Sequence, residues 1–215
     1  MNLGGIRLTA VVLLLAMAGG CGAVVYPPTK FTDPEAFYLA KYNVHSCVLL
    51  PSNGRFVDYS FGDWNYAALH HKLINDAIVA LTISGDSAFE RRIVQADPKT
   101  GEPILDDNPK VLLRLYADRS AIAKRLTELE DRFQMDMKEN GEDPPVIQIG
   151  ADYSIIFVKD SEHYSLTNNC NYLTAETLRA LGYRVEGMTI TNHFSLQAPA
   201  QTVDGGAAEG SMHLP

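Results

Sequence analysis

Hydrophobic positions along this chain follow two periods, one near 3.6 residues and one of 2, and the stretches that carry them alternate. The helical period is clearest after Asp118. Ile122, Leu126, Leu129, Phe133 and Met137 recur at spacings of four, three, four and four, which puts them on one apolar stripe. Asp118 is the expected N-cap, and 140–145 ends the helix. A second helix is expected over Asn65–Thr82, capped by Asp63, with Leu69, Leu73, Ala77 and Leu81 inward and Ile74 and Ile78 widening the stripe. His70 and His71 lie on it about 100° apart, so they are not a chelating pair. A third helix opens at Cys170. Leu173, Leu178 and Leu181, with Thr177 and Ala180 beside them, make its buried stripe. Gly182 stands where a C-terminal glycine belongs, and Asn168 and Asn169 precede it as caps.

The two-residue period marks strands. Val44–Leu50 and Phe56–Phe61 flank Pro51-Ser52-Asn53-Gly54, and Asn-Gly signals a hairpin. With Asn53-Gly54 as a two-residue turn, position i pairs with 107 − i: Leu49 faces Asp58, Cys47 faces Ser60 and His45 faces Gly62. Alternation puts His45, Cys47 and Leu49 on one face. Ala88–Ala96 also alternates, with Phe89, Arg91 and Ile93 against Glu90, Arg92 and Val94. Val111–Tyr116 reads as a buried strand, Tyr153–Val158 as another, and Gly187–Leu196 as the last. Pro34–Tyr42 reads as a helical turn or two, and Asp97–Lys110 as a loop rich in Asp, Gly and Pro. The fold class expected is α+β, an antiparallel sheet packed against helices, in one domain over 35–197.

The ends change the picture. Residues 1–20 hold one charge, Arg7, and the apolar run Leu8–Ala18, too short for a membrane span and shaped like a secretory signal. Ala18-Gly19-Gly20-Cys21 resembles a bacterial lipoprotein signal, departing from it at Ala18, where leucine is usual. That resemblance implies that Cys21 is lipidated and anchors the chain to a membrane. Gly22, where some lipoproteins carry an inner-membrane retention Asp, implies the periplasmic face of the outer membrane. Residues 21–34, with Pro27, Pro28 and Pro34, read as a tether; 198–215 is small, polar and expected to be disordered.

Net charge is −8, and −9 without Arg7. Such a balance argues against nucleic-acid partners. The cysteines, Cys21, Cys47 and Cys170, match no metal spacing, and no nucleotide loop is present, so neither metal nor cofactor is expected.

The chemistry centres on Cys170. A thiol at a helix start feels the positive end of the dipole, which favours the thiolate. It still needs a base, and imidazole is the usual one. His45 is the candidate; His163, seven residues before Cys170, and His193 are rivals. Asp63 or Asp58 is the candidate orienting group for the imidazole. The Cys170 N–H, with Asn169 or Asn171, is the candidate oxyanion donor. Cys47 lies two positions from His45, about 6.5–7 Å away along the strand. A catalytic dyad, a Cys47–Cys170 disulfide, and a dyad silenced by oxidation are therefore all open. The bridge would suit a non-enzymatic envelope lipoprotein with a binding role.

The stretch Asn169-Cys170-Asn171-Tyr172-Leu173-Thr174 through Leu178 and Gly182 resembles a bacterial domain family of unknown function. Its motif is Thr-Cys-Asn-x-Trp-Thr-x-x-x-Leu-x-x-x-Gly, with a histidine-bearing strand near its start. This chain departs at Asn169 and Leu173. Phe61-Gly62-Asp63-Trp64-Asn65-Tyr66 resembles that family's Gly-Asp-x-x-Phe/Tyr segment and favours Asp63. The likeness covers His45 to Gln197. A histidine strand and a helix-start cysteine, in this order, are similar to circularly permuted NlpC-type papain-like proteins. That resemblance implies a thiol hydrolase or acyltransferase acting on an amide or ester, with Cys170 as nucleophile and His45 as base. Cell-wall peptides are the natural amide in that compartment.

Overall fold

The computed structural model describes residues 22–69, 87–105, 108–139 and 145–197. The signal segment 1–20, Cys21, most of the helix expected over Asn65–Thr82 with His70 and His71, and the tail 198–215 lie outside the described residues.

Among the described residues the strands form two sheets. The larger contains β2 (Pro34–Lys41), β3 (Ser46–Ser52), β4 (Arg55–Asp63), β5 (Ser87–Gln95), β6 (Val111–Asp118), β7 (Val146–Ile149) and β8 (Tyr153–Asp160). Its order is β6-β2-β3-β4-β5-β8-β7, and each neighbouring pair is antiparallel. Helices α1 (Arg119–Glu139) and α2 (Cys170–Ala180) pack on one face. A smaller sheet, β10-β1-β9, joins β1 (Ala23–Tyr26) to β9 (Arg184–Gly187) and β10 (Phe194–Leu196). The α+β class expected from the sequence is therefore present, with mostly antiparallel strands.

The hairpin follows from its turn. Asn53 and Gly54 both take positive φ, 51° and 75°, the backbone that a two-residue turn of this kind requires. Leu49 then faces Asp58, and Leu50, Pro51 and Ser52 follow in the register 107 − i. Beyond Leu49–Asp58 the ladder ends, and β4 runs on to Asp63 paired only with β5.

The side chains of β3 divide between two cores, as strand alternation requires. Val48 and Leu50 join Phe37, Leu39, Tyr59, Phe61 and Phe89 under the helices, where Ile122, Leu129, Phe133, Leu173 and Leu178 meet them. Cys47 and Leu49 face the other way, with Tyr38, Ala40, Phe56 and Val94. The α1 stripe is the expected one: Ile122, Leu129 and Phe133 are buried, and Leu126 and Met137 pack beside them.

Several expectations are corrected. Pro34–Tyr42 is not helical: it holds β2, whose Phe37, Tyr38, Leu39 and Ala40 are all buried. A strand covered on both faces loses its alternation, which is why the sequence hides it. The tether over 21–34 is shortened, because Ala23 and Val25 sit in the core as part of β1. Val111–Tyr116 is an edge strand with Leu112 exposed. Asp118 ends β6 and accepts from the Thr32 and Asp33 amides at 2.6 and 2.8 Å, fixing the loop before β2. Gly187–Leu196 is not one strand: β9 ends at Gly187, a loop follows, and β10 begins at Phe194. Strand β7 has no counterpart in the sequence reading.

Candidate functional site

Helix α2 is set in place by its first residues. Asn169 is its N-cap: the side-chain oxygen accepts from the Asn171 and Tyr172 amides at 2.9 and 3.0 Å, and its amide group donates to the Leu166 carbonyl at 2.7 Å. Leu173, Thr177, Leu178 and Leu181 turn into the core, whereas Ala180 is exposed. Gly182, at φ 90°, terminates the helix without the clash a Cβ brings there.

A polar clasp holds α2 to the start of β3. The Ser46 hydroxyl lies 2.8 Å from Asn171 Oδ1 and 3.1 Å from Thr174 Oγ1, and Thr174 donates to the Ser46 carbonyl at 2.8 Å. The Asn171 amide donates to the Ile190 carbonyl at 3.3 Å. Both asparagines expected to supply an oxyanion donor are thus engaged as a cap and a clamp. The donors near the thiol are backbone groups, the amides of Ser46, Cys170 and Asn171, which oppose the upward shift of its pKa; the Asn171 N–H is already engaged by the Asn169 cap.

Burial nevertheless dominates at that thiol. It pushes the Cys170 pKa up to about 12, against the three amides, with the Glu90 charge adding to the rise. This shift runs opposite to the one that the helix start alone implies. The helix start supplies the donors, but the removal of water outweighs them.

His45 precedes β3, in a short loop. Its ring stacks on Tyr42 with centroids 5.7 Å apart, its carbonyl accepts from the Tyr42 amide at 2.8 Å, and its Nε2 lies 3.5 Å from Ser60 Oγ. Ser60 in turn donates to Asp58 at 3.3 Å. Asp58 is buried on the face away from the helices, opposite Arg92 of β5, and holds the Cys47 thiol by a hydrogen bond. Asp63 sits elsewhere. Its Oδ1 accepts from the Tyr66 amide at 2.8 Å, capping a π-helical turn over Trp64–Ala68. That turn packs so closely on β4 that a Cβ on Gly62 would stand 2.9 Å from Ala67 Cβ.

These pieces surround one cavity of about 590 Å3 at the end of the sheet where β3 and β4 part. His45, Ser60, Asp63, Glu90, Asn169, Cys170 and Asn171 line it. Tyr164 lines it too; its hydroxyl is shifted upward by burial first and then by the charges of Cys170 and Asp63. Of the rival bases, His193 is exposed at the cavity and its carbonyl holds the Ala23 amide at 2.8 Å. His163 is exposed on the loop before α2.

The Cys47–Cys170 bridge is overturned. Both cysteines are free, and they approach from opposite faces of β3: α2 packs on the Ser46, Val48 and Leu50 side, and Cys47 points into the other core. Burial, then the charge of Asp58, raises the Cys47 thiol well above its ordinary value.

The site also contains residues the sequence reading did not select: Ser46, Ser60, Glu90 and Tyr164. Ser60 and Glu90 were accessible to it: the register expected from the turn, which the ladder does not follow past Leu49–Asp58, set Ser60 across from Cys47, and Glu90 alternates along β5 and pairs with Ser60. Among the described residues, no group of three or more His, Cys, Asp or Glu side chains is spaced to hold a metal ion. Compared with known proteins, the chain matches no family model, no curated protein and no solved structure.

Proposed function

We propose that this protein is an acyl-transferring thiol enzyme, a hydrolase or transferase of amides or esters, with Cys170 as nucleophile and His45 as general base. The observation that carries the reading is that one cavity is lined by both, with Cys170 on the first turn of α2 and His45 tied through Ser60 to Asp58. What supports a permuted papain-like architecture is the same pair of placements, a histidine before a central strand and a cysteine at the start of a helix packed on that sheet.

A resting thiol near pKa 12 sets the order of events. The proton leaves sulphur as the sulphur attacks, and His45 takes it. The Ser46 and Cys170 amides beside the sulphur favour its ionisation as the proton leaves, and the C–S bond forms as the negative charge passes to the acyl oxygen. His45 returns the proton to the leaving alcohol or amine as the C–O or C–N bond breaks. Water or a second acceptor then attacks the thioester; His45 removes its proton and returns it to the Cys170 sulphur as the C–S bond breaks. The proposed address, through a lipid on Cys21, is the periplasmic face of the outer membrane, and it rests on the N-terminal sequence alone.

A second reading is favoured by the thiol itself. A half-buried Cys170 with a raised pKa also suits an envelope protein that binds a ligand in this cavity and turns nothing over. Turnover of activated esters and amides by wild type, Cys170→Ala and His45→Ala, with each variant's fold checked by circular dichroism, separates the two. The enzyme reading expects Cys170→Ala to be inactive and His45→Ala to be slower by about 10²–10⁴-fold. Turnover that survives in folded Cys170→Ala rules it out.

A further inference from the structure

The cavity that holds Cys170 has an uneven lining. Its walls are largely hydrocarbon: Val44, Phe61, Ala88, Phe157, Leu166 and Ile190 contribute to them. Ala88 and Phe157 belong to a small apolar cluster with Trp64 and Ala68, so this wall is built into the fold. Two carboxylates, Asp63 and Glu90, also line the cavity, and among the described lining residues there is no lysine or arginine. The charge of Glu90 is felt at the Cys170 thiol, and that of Asp63 at the Tyr164 hydroxyl, so both act on the reacting space.

Apolar walls reward a hydrocarbon ligand in proportion to the surface it buries. A carboxylate entering beside Asp63 and Glu90 would lose its water and meet like charge. Cell-wall stem peptides carry free carboxylates and expose much polar backbone, so they suit this lining poorly. We infer that the substrate of this site is an acyl compound with an uncharged hydrocarbon chain, an ester or amide of a fatty-acid-like group, rather than an anionic peptide. The inference rests on the acyl-enzyme reading for its chemistry and on the cavity walls for its selectivity. In the step it describes, Cys170 sulphur bonds to the acyl carbon, the carbon–oxygen or carbon–nitrogen bond breaks, and the leaving group departs with the proton carried by His45.

The test uses p-nitrophenyl esters from acetate to decanoate. The expected result is a kcat/KM that climbs by roughly two- to fourfold per added methylene until the cavity is filled. Ile190→Trp and Leu166→Trp, both on loops that line the cavity, are expected to move the optimum to shorter chains. An ester ending in a free carboxylate is expected to react about tenfold or more slowly than its neutral isostere. Glu90→Gln should narrow that gap. A companion measurement is calorimetric binding of N-alkyl acetamides of increasing chain length to Cys170→Ala. Acylation of Cys170 with no dependence on chain length would overturn the inference and leave the acyl-enzyme reading intact. Chain-dependent binding without acylation by any ester would overturn the acyl-enzyme reading, and the substrate inference with it, leaving only the cavity's selectivity for a hydrocarbon ligand. Binding that is flat across the alkyl series overturns the inference whatever the enzyme does.

Discussion

Ser60 Oγ stands 3.5 Å from His45 Nε2 and donates to Asp58 Oδ1 at 3.3 Å, so a serine on β4 links the buried carboxylate to the imidazole. On the proposed acyl-enzyme reading, that makes Ser60 a positioning residue. Ser60→Ala is expected to lower kcat about tenfold while KM for a small ester holds, and Ser60→Thr to recover most of the loss. Separate determination of kcat and KM decides it. An unchanged kcat in Ser60→Ala would remove Ser60 from the account.

The thiol of Cys170 should behave as a weak acid. Alkylation by iodoacetamide is expected to keep rising with pH from neutral to beyond pH 10, because burial holds the group near 12. Cys47, deeper still and bonded to Asp58, should react only when the protein unfolds. Mass mapping of the alkylated cysteine at each pH checks both. A plateau below pH 9 would show an activated thiolate instead.

A carboxyl pair away from the site gives a stability prediction. Asp136 of α1 is buried, and its pKa is raised by desolvation first and then by the Asp160 charge, with Arg132 opposing. The unfolded chain therefore ionises at this position near the ordinary 3.8 while the folded protein keeps its proton, so stability falls as pH rises above about 4. Asp136→Asn cannot ionise. It is expected to raise stability at pH 7 by about 1 kcal/mol and to change little at pH 4. Urea unfolding at the two pH values measures the difference; equal effects at both would contradict the assignment.

Asn169 has a structural duty that can be tested apart from catalysis. Replacing it with Ala removes the acceptor for the Asn171 and Tyr172 amides and should cost about 1 kcal/mol, whereas Asp or Ser should retain most of it. Thermal unfolding of the three variants ranks them. A loss equal in all three would place the effect in the Leu166 contact rather than the cap.

Local signals made much of this legible. Asn53-Gly54 determines its own turn, so the register from Leu49–Asp58 onward follows from two residues. The Asn169 cap, the Leu173–Leu178–Leu181 stripe and Gly182 delimit α2 without tertiary help. Non-local pairing was hidden. Strand β1 is four residues long and lies between β9 and β10, whose partners are some 160 to 170 residues away in the chain, so no short-range pattern marks it. The desolvation of Cys170 was hidden for the same reason: it is a tertiary effect, and the helix alone predicts the opposite shift. Alternation placed His45 and Cys47 on one face but was silent on which face α2 covers. The Ser46 clasp settles that, and with it the fate of the disulfide.

The most direct measurement is the intact mass of the protein quenched in acid during turnover of an activated ester, with the adduct mapped by peptide sequencing. The result expected is one acyl group on Cys170 in wild type, its formation slowed by about 10²-fold or more in His45→Ala, and none in Cys170→Ala. An adduct on another residue, or ester cleavage with Cys170 unmodified and dispensable, would contradict it.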